Sequence, residues 1–120
     1  MHHFESLATE VACSLSNSQH VVPRIIGVPA DILSADSPAR LVDCVEEHFK
    51  GKLDILVNNA CYDEMRTMGS LDDEYLHRVL HGNIHNPTML MDLLYRRGYI
   101  MPHSRIINVS SVSGRQIPFP

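Results

Sequence analysis

The chain lacks several features that mark large classes of protein. Its 120 residues contain no tryptophan, only 6% aromatic residues and three cysteines, Cys13, Cys44 and Cys61. The odd number of cysteines and the absence of Cys-x-x-Cys spacing favour a reduced, cytoplasmic environment over a disulfide framework. No apolar run approaches the roughly 18 residues that span a bilayer, so neither a membrane partner nor a signal peptide is predicted.

Positive charge is also scarce. Ten lysines and arginines stand against 14 aspartates and glutamates, which gives a formal net charge of −4 with the two signs interspersed. Because phosphate backbones are neutralised by basic stripes, no nucleic-acid partner is predicted. Hydrophobic residues make up 44% and charged residues 20%, both close to the averages of globular proteins. The composition predicts one folded domain, or part of one.

Three segments are predicted to be helices, the first two from apolar residues at three- and four-residue spacing and the third from its capped, acidic start. The first is 3–16. The second begins at Ser37-Pro38, a predicted N-cap and first-turn proline, and ends before Gly51. The third is the long segment 71–97, with Ser70 as its predicted cap. The surface of this third helix is expected to face solvent or a second subunit, which makes a homo-oligomer through 71–97 one expected partner.

Three apolar segments alternate with these helices. Residues 21–30 include Pro23 and Pro29, which suits a strand near a sheet edge. Residues 53–58 and 105–110 are nearly continuous apolar runs, the pattern of parallel strands covered on both faces. The order helix, strand, helix, strand, helix, strand predicts an α/β fold with parallel strands and right-handed crossovers.

Polar side chains follow each predicted strand: Asp31 after the first, Asn58-Asn59 after the second and Ser110-Ser111 after the third. In open parallel sheets, ligands bind outside the carboxyl ends of the strands. The same residue types are also ordinary in turns and helix caps. Each of them alone is therefore weak evidence for a functional site.

Four short motifs contain or accompany these residues. They are Ala-Asp-Ile-Leu at 30–33, Asp-Ile-Leu-Val-Asn-Asn-Ala at 54–60, Gly-Asn-Ile at 82–84 and Arg-Ile-Ile-Asn-Val-Ser-Ser-Val-Ser-Gly at 105–114. In order and spacing the chain resembles the central stretch of classical short-chain dehydrogenases/reductases, NAD(P)-dependent enzymes of alcohols and ketones. The resemblance implies a partial Rossmann-like, doubly wound parallel sheet with flanking helices. Residues 1–120 would form a single incomplete NAD(P)-binding domain.

The resemblance also assigns roles to single residues. Asp31 is expected to accept a hydrogen bond from the adenine amino group, Asn83 to help hold a water in a proton relay, and Ser111 to hydrogen-bond the reacting oxygen of the substrate. Cys61 stands where the family has a glycine that allows close approach of the ligand, which weakens the expected contact. The residues expected to border the cofactor, NAD or NADP, are Asp31, Ile32, Asn58, Asn59, Ala60, Cys61 and Val109.

Two features of the family are not found within the 120 residues. One is the glycine-rich turn that binds the cofactor phosphates, and the other is the Tyr-x-x-x-Lys pair expected after Ser111. In the family the tyrosine is the acid and base, and the lysine and the charged cofactor lower its pKa. The expectation is weak or absent cofactor binding and no turnover by this chain alone. The alternative is a truncated or splice form that only associates with an intact relative.

Two other kinds of site agree less well with the sequence. His77, His81 and His85 are spaced by four on one helix face, but three successive turns do not converge on one ion, so no metal site is predicted. A hydrolase built on Ser111 would need a glycine where Val109 stands. The short-chain dehydrogenase interpretation is therefore favoured.

Overall fold

The computed structural model of the chain describes residues 23–111, so the predicted helix at 3–16 lies outside the described part. The strands β1 (Leu53–Asn58) and β2 (Ile100–Asn108) pair in parallel, and the helical segment between them makes the crossover. This arrangement confirms the predicted α/β fold with a parallel sheet. None of the described helices is long and apolar enough to cross a membrane. The elements are α1 (Ser37–Phe49), β1 (Leu53–Asn58), α2 (Asp73–Leu80), a π-helical turn (His81–His85), α3 (Asn86–Arg96) and β2 (Ile100–Asn108).

The buried core of the described residues lies where α1 packs against α3. Val42 of α1 and Leu94 of α3 are each 1% exposed. After α1, Lys50 and Gly51 both have positive φ, 54° and 69°, and this turn ends the helix. Gly51 also leaves room for Tyr99, since an added Cβ would lie 2.4 Å from its ring. The end of α1 is thereby placed beside the start of β2.

The strand predicted at 21–30 is not a strand over its described residues, 23–30. A strand requires a hydrogen-bonded neighbour, and the sheet formed by the described residues contains only β1 and β2. Pro23 and Pro29 also have no N–H to donate. The apolar, β-branched composition of the segment was therefore insufficient to make it a strand.

The long helix predicted at 71–97 is divided into three parts. Its N-cap is Asp72 and not the predicted Ser70, because the Asp72 side chain accepts a hydrogen bond from the Tyr75 N–H at 2.7 Å. Ser70 bonds within the preceding turn instead. The regular helix then changes to the π-helical turn at 81–85, which apolar periodicity does not reveal.

The start of α1 differs from the prediction in its cap. Pro38 occupies the first turn as predicted, but Ser37 is already helical and Asp36 takes the cap position without a side-chain cap bond. The hydroxyl of the buried Ser37 donates to the Asp31 carbonyl oxygen. A serine in this position therefore ties α1 to the turn that follows residues 23–30.

β2 begins and ends earlier than the predicted 105–110. Its first part is irregular, since residues 101–104 bulge outward between two paired positions of β1. The Ser104 hydroxyl donates to the Leu53 carbonyl oxygen at 2.6 Å and holds this bulge against β1. Regular pairing follows up to Asn108.

The faces of β1 are covered unequally. Ile55 and Val57 share one face and are 57% and 52% exposed, whereas Leu56 and Asn58 on the other face are half-buried. The prediction that this strand is covered on both faces is wrong for the described residues, because no described helix covers the Ile55 side.

Candidate functional site

The π-helical turn lies where two loops with predicted site residues meet. Gly82 in this turn is buried, and an added Cβ would lie 3.0 Å from the Leu33 side chain and 3.3 Å from the Tyr62 Cβ. Leu33 belongs to the turn at 31–34, and Tyr62 to the loop that follows β1. The glycine therefore permits close approach on both sides and brings the two loops together.

Hydrogen bonds within the turn at 31–34 define the position of Asp31. Its Oδ1 accepts from the Leu33 N–H at 2.9 Å, and its carbonyl oxygen accepts from the Ser34 N–H at 2.9 Å. The Asp31 residue is exposed, whereas Ile32 is half-buried. The carboxylate predicted to accept from adenine thus lies at the surface on an Asx-type turn.

Asn83 forms two hydrogen bonds with the main chain of one residue in the loop after β1. Its Oδ1 accepts from the Tyr62 N–H at 2.7 Å, and its Nδ2 donates to the Tyr62 carbonyl oxygen at 3.0 Å. Both polar groups of the side chain are used in this way. Asn83 therefore fixes the loop that carries Asn59, Ala60 and Cys61.

Hydrogen bonds also join the carboxyl ends of the two strands. The Asn58 Nδ2 donates to the Asn108 Oδ1 at 2.9 Å, and the Val109 N–H donates to the Asn58 carbonyl oxygen at 3.0 Å. Two residues beyond Val109, Ser111 is exposed. Asn59 and Ser111 therefore both follow the paired carboxyl ends of the two strands.

A cavity of about 440 Å³ extends along β1, between this strand, the helices α1 and α3, and residues 26–32. Its lining is mainly apolar along the length of the strand. Asp31, Cys61, Asn83, Val109 and Ser111 do not line it. The predicted cofactor-bordering residues that do line it are Ile32, Asn58, Asn59 and Ala60.

Cys61 has ordinary backbone geometry. It is exposed, and Lys50 is the one described non-glycine residue with positive φ. The Cys61 thiol lies 3.5 Å from the Tyr62 carbonyl oxygen. The backbone here does not require the glycine that the resemblance implies, so the difference between the two residues is the volume that the side chain occupies.

A cluster of charged and phenolic side chains holds the loop after β1 against α2. Arg66 contacts Glu64 at 2.8 Å through Nε and Asp72 at 2.6 Å through Nη1. Arg78 Nη2 contacts Glu64 Oε2 at 3.2 Å, and the Tyr62 hydroxyl donates to the same carboxylate. We refer to these five residues, Tyr62, Glu64, Arg66, Asp72 and Arg78, as the Glu64 cluster.

Hydrogen bonds at the Glu64 cluster shift the pKa values of several of its side chains, among them Glu64, Asp72 and Tyr62. The hydrogen bond from Tyr62, followed by that from Arg66, holds the pKa of Glu64 below its usual 4.5. The Tyr75 N–H and then Arg66 hold the pKa of Asp72 below its usual 3.8. The Glu64 carboxylate in turn raises the pKa of the Tyr62 hydroxyl above 10. Tyr62 is therefore a hydrogen-bond donor at neutral pH and is not suited to act as a base.

Sequence reasoning missed Asn86, Tyr62 and the rest of the Glu64 cluster. Asn86 is 5% exposed and donates through Nδ2 to the carbonyl oxygens of Ile32 and Ser34. An asparagine inside a predicted helix is mildly unfavourable. The same argument that singled out Asn83, a mid-helix asparagine, would also have singled out Asn86. Tyr62 lies in a loop, where no periodic pattern exists to single it out.

The three histidines of the helical segment stack along it. The ring centroids of His77 and His81 are 5.5 Å apart, those of His81 and His85 are 4.7 Å apart, and the planes differ by 16° in both pairs. Stacked rings direct their nitrogens side by side, whereas the nitrogens that bind one zinc ion converge on it at about 2.0–2.1 Å. Within residues 23–111, no group of three such side chains could hold a metal ion.

Comparison with known proteins decides the family. The short chain dehydrogenase family matches residues 4–120. The chain belongs to this family. A dehydrogenase of Cochliobolus heterostrophus is 29% identical over 109 residues, which are 91% of this chain and 46% of that protein. Galactitol 2-dehydrogenase of Agrobacterium fabrum is 27% identical over 110 residues, which are 89% of this chain and 42% of the enzyme.

A solved structure agrees with this short-chain dehydrogenase assignment. A mutant form of a Serratia marcescens short-chain dehydrogenase/reductase matches 95% of this chain and 44% of its own, with a TM-score of 0.72 and 26% identity. The chain thus spans less than half the length of these relatives. The family and the partial Rossmann-like fold implied by the four sequence motifs are confirmed.

Proposed function

We propose that this chain provides part of the nucleotide and substrate site of an NAD(P)-dependent short-chain oxidoreductase that acts on an alcohol or carbonyl compound. Two contacts carry the proposal: the turn at 31–34 and the loop after β1 both lie against Gly82, and Val109 bonds to Asn58 at the carboxyl end of β1. Ligands of open parallel sheets bind at this end. Family membership supports the class of reaction.

The cofactor side of the proposed site is the turn at 31–34 with the end of β1. The exposed Asp31 carboxylate would accept a hydrogen bond from the adenine amino group, with Ile32 beside it. Asn58 and Asn59 would border the ribose, together with Ala60, Cys61 and Val109. NAD or NADP, when bound, supplies the hydride chemistry.

The substrate side of the proposed site contains Ser111. Its hydroxyl would donate a hydrogen bond to the reacting oxygen and stabilise the charge that develops there. The Asn83 side chain holds the Tyr62 main chain, so a relay water would be held by the Asn83 main-chain carbonyl. No Tyr-x-x-x-Lys pair follows Ser111 within the 120 residues, so we expect no turnover from these residues alone.

Titration of the purified chain with NADH and NADPH, followed by ligand-observed NMR, tests the cofactor part of the proposal. We expect saturable binding that is weaker than micromolar, with contacts to the adenine protons that Asp31→Ala removes. Asp43→Ala, an exposed aspartate of α1, is the matched control. No saturable binding, or binding equal in the wild type and Asp31→Ala, would contradict the proposed site. A micromolar or tighter affinity would contradict the expected weakness.

The position of Cys61 allows a gain-of-binding test. Cys61→Gly removes the side chain where the family has glycine, and we expect it to strengthen NADH binding. Cys61→Ser removes only the thiol and keeps the Cβ, so its affinity should stay at the wild-type value. Equal affinities for all three chains would show that the side-chain volume at this position does not limit the site.

We also propose association with a second copy or an intact relative through the helical segment 71–97. The supporting observation is an apolar stripe at four-residue spacing, in which Leu76, Leu80 and Ile84 are 43%, 53% and 59% exposed. Sedimentation should show self-association that Leu80→Glu abolishes. A wild-type chain that remains monomeric at high concentration would argue against self-association through this segment.

A further inference from the structure

Asn86 is a buried side-chain amide between two elements that are far apart in sequence. It is the first residue of α3 and is 5% exposed. Its Nδ2 donates to the Ile32 carbonyl oxygen at 2.7 Å and to the Ser34 carbonyl oxygen at 2.9 Å. These two bonds satisfy both amide hydrogens, without which burial of the group would be unfavourable.

The turn at 31–34 depends on this link. The segment before it, 23–30, forms no strand, so no sheet hydrogen bonds hold the turn from its N-terminal side. Within the described residues, the turn is tied to α1 by Ser37, whose hydroxyl donates to the Asp31 carbonyl oxygen and whose N–H donates to the Ser34 carbonyl oxygen at 3.2 Å. It is tied to α3 by Asn86. The bonds inside the turn fix its shape, and Ser37 and Asn86 hold it against the two helices.

We propose that Asn86 is a positioning residue that sets the Asp31 carboxylate for the adenine end of the nucleotide without touching the nucleotide itself. The inference rests on the proposed cofactor role of Asp31. Through Ile32 and Ser34, Asn86 holds the residues on the C-terminal side of Asp31. The Leu33 N–H, which orients Asp31 Oδ1, lies between the two carbonyls that Asn86 binds.

A positioning role and a purely structural role of Asn86 predict different effects on binding of the two halves of the dinucleotide. Asn83, three residues earlier, holds the loop after β1 through Tyr62 and does not contact the turn at 31–34 through any of its side-chain hydrogen bonds. Loss of the Asn86 amide should therefore weaken binding of an adenine nucleotide and leave binding of a nicotinamide nucleotide unchanged. A general loss of stability would weaken both equally.

The test titrates the whole 120-residue chain and its Asn86→Ala variant with 5′-AMP and, separately, with nicotinamide mononucleotide, by ligand-observed NMR. We expect the AMP affinity of Asn86→Ala to fall about tenfold, because two hydrogen bonds to the turn are lost, and the mononucleotide affinity to remain. Amide exchange at Leu33 and Ser34 should become faster. Thr88→Ala, an exposed change two residues away, should alter none of these quantities.

Ser37→Ala is the second variant, since it loosens the same turn from α1 and also serves if Asn86→Ala does not fold. It should weaken AMP binding selectively as well. Equal weakening of both nucleotides, or unchanged AMP affinity, would overturn the positioning role. If the wild-type chain binds no AMP, the proposed function itself fails and takes the positioning role with it. If the wild-type chain binds AMP but amide exchange at Ser34 stays slow in Asn86→Ala, the positioning role is overturned and the proposed function is not affected.

Discussion

Asn83 and Tyr62, 21 positions apart, are joined by a pair of hydrogen bonds in which one side-chain amide satisfies both main-chain groups of the other residue. Asn86 also holds a separate segment, since its Nδ2 donates to the carbonyl oxygens of Ile32 and Ser34 in the turn at 31–34. The π-helical turn and the first residue of α3 therefore carry two amides, three positions apart, that fix two separate loops. π-Helical turns often occur where a helix has to present such groups at a functional site.

The Asn83 connection predicts a local effect of Asn83→Ala. Removing the amide leaves the Tyr62 N–H and carbonyl without their partner, so we expect a loss of about 1–3 kcal/mol in the free energy of unfolding and faster exchange of the Tyr62 amide. Urea denaturation and hydrogen exchange measure the two effects. Asn59→Ala, at an exposed asparagine of the same loop, should change the stability by less than about 0.5 kcal/mol. An unchanged Tyr62 exchange rate would show that the loop is held by other contacts.

The Glu64 cluster predicts a dependence of stability on pH. Because the folded-state pKa of Glu64 is below its usual 4.5, its contribution to stability is fully present above that value and is lost as the pH falls through the lowered pKa. The urea midpoint should therefore decline below about pH 4.5, and less steeply in Glu64→Gln. Asp72, whose pKa is also lowered, should leave part of the decline in place. Identical profiles for the wild type and Glu64→Gln would contradict this assignment, and Glu47→Gln on α1 is the matched control.

The contact between α1 and α3 predicts that truncation of Leu94 is severe. Leu94 is 1% exposed, so Leu94→Ala creates a cavity and should lower the free energy of unfolding by about 2–5 kcal/mol. The neighbouring Tyr95 is 73% exposed, and Tyr95→Ala should have an effect of less than about 0.5 kcal/mol. Denaturation in urea compares the two, and similar losses would mean that the core lies elsewhere.

Local stability should differ between the paired strands and the segment before the turn at 31–34. We expect amide protection in 53–58, 76–94 and 105–110, which form the strand pair and its crossover, and none in 23–30, which forms no strand. From the sequence, the same lack of protection is predicted for 4–22. Hydrogen exchange measured by NMR resolves each segment. Equal protection of 23–30 and 53–58 would show that the first segment has found a hydrogen-bonded partner.

The sequence by itself determined the order of the elements from α1 to β2, the parallel sheet and the family. These follow from local patterns: the spacing of apolar residues in α1, the continuous apolar runs of β1 and β2, and the separation of Asn58, Asn83 and Ser111 by 25 and 28 positions. Such patterns lie along the chain itself, so they can be read without knowing the fold.

Only the tertiary structure decided which segments adopt the secondary structure that their composition favours. Residues 23–30 have the composition of a strand but no described neighbour to pair with, and strand pairing is never local in a parallel sheet. The burial of Asn86 depends on a turn more than 50 positions earlier, since Asn86 bonds to residues 54 and 52 positions away. A hydrogen bond between such distant groups forms only once the elements between them have packed, which is why no sequence pattern announced it.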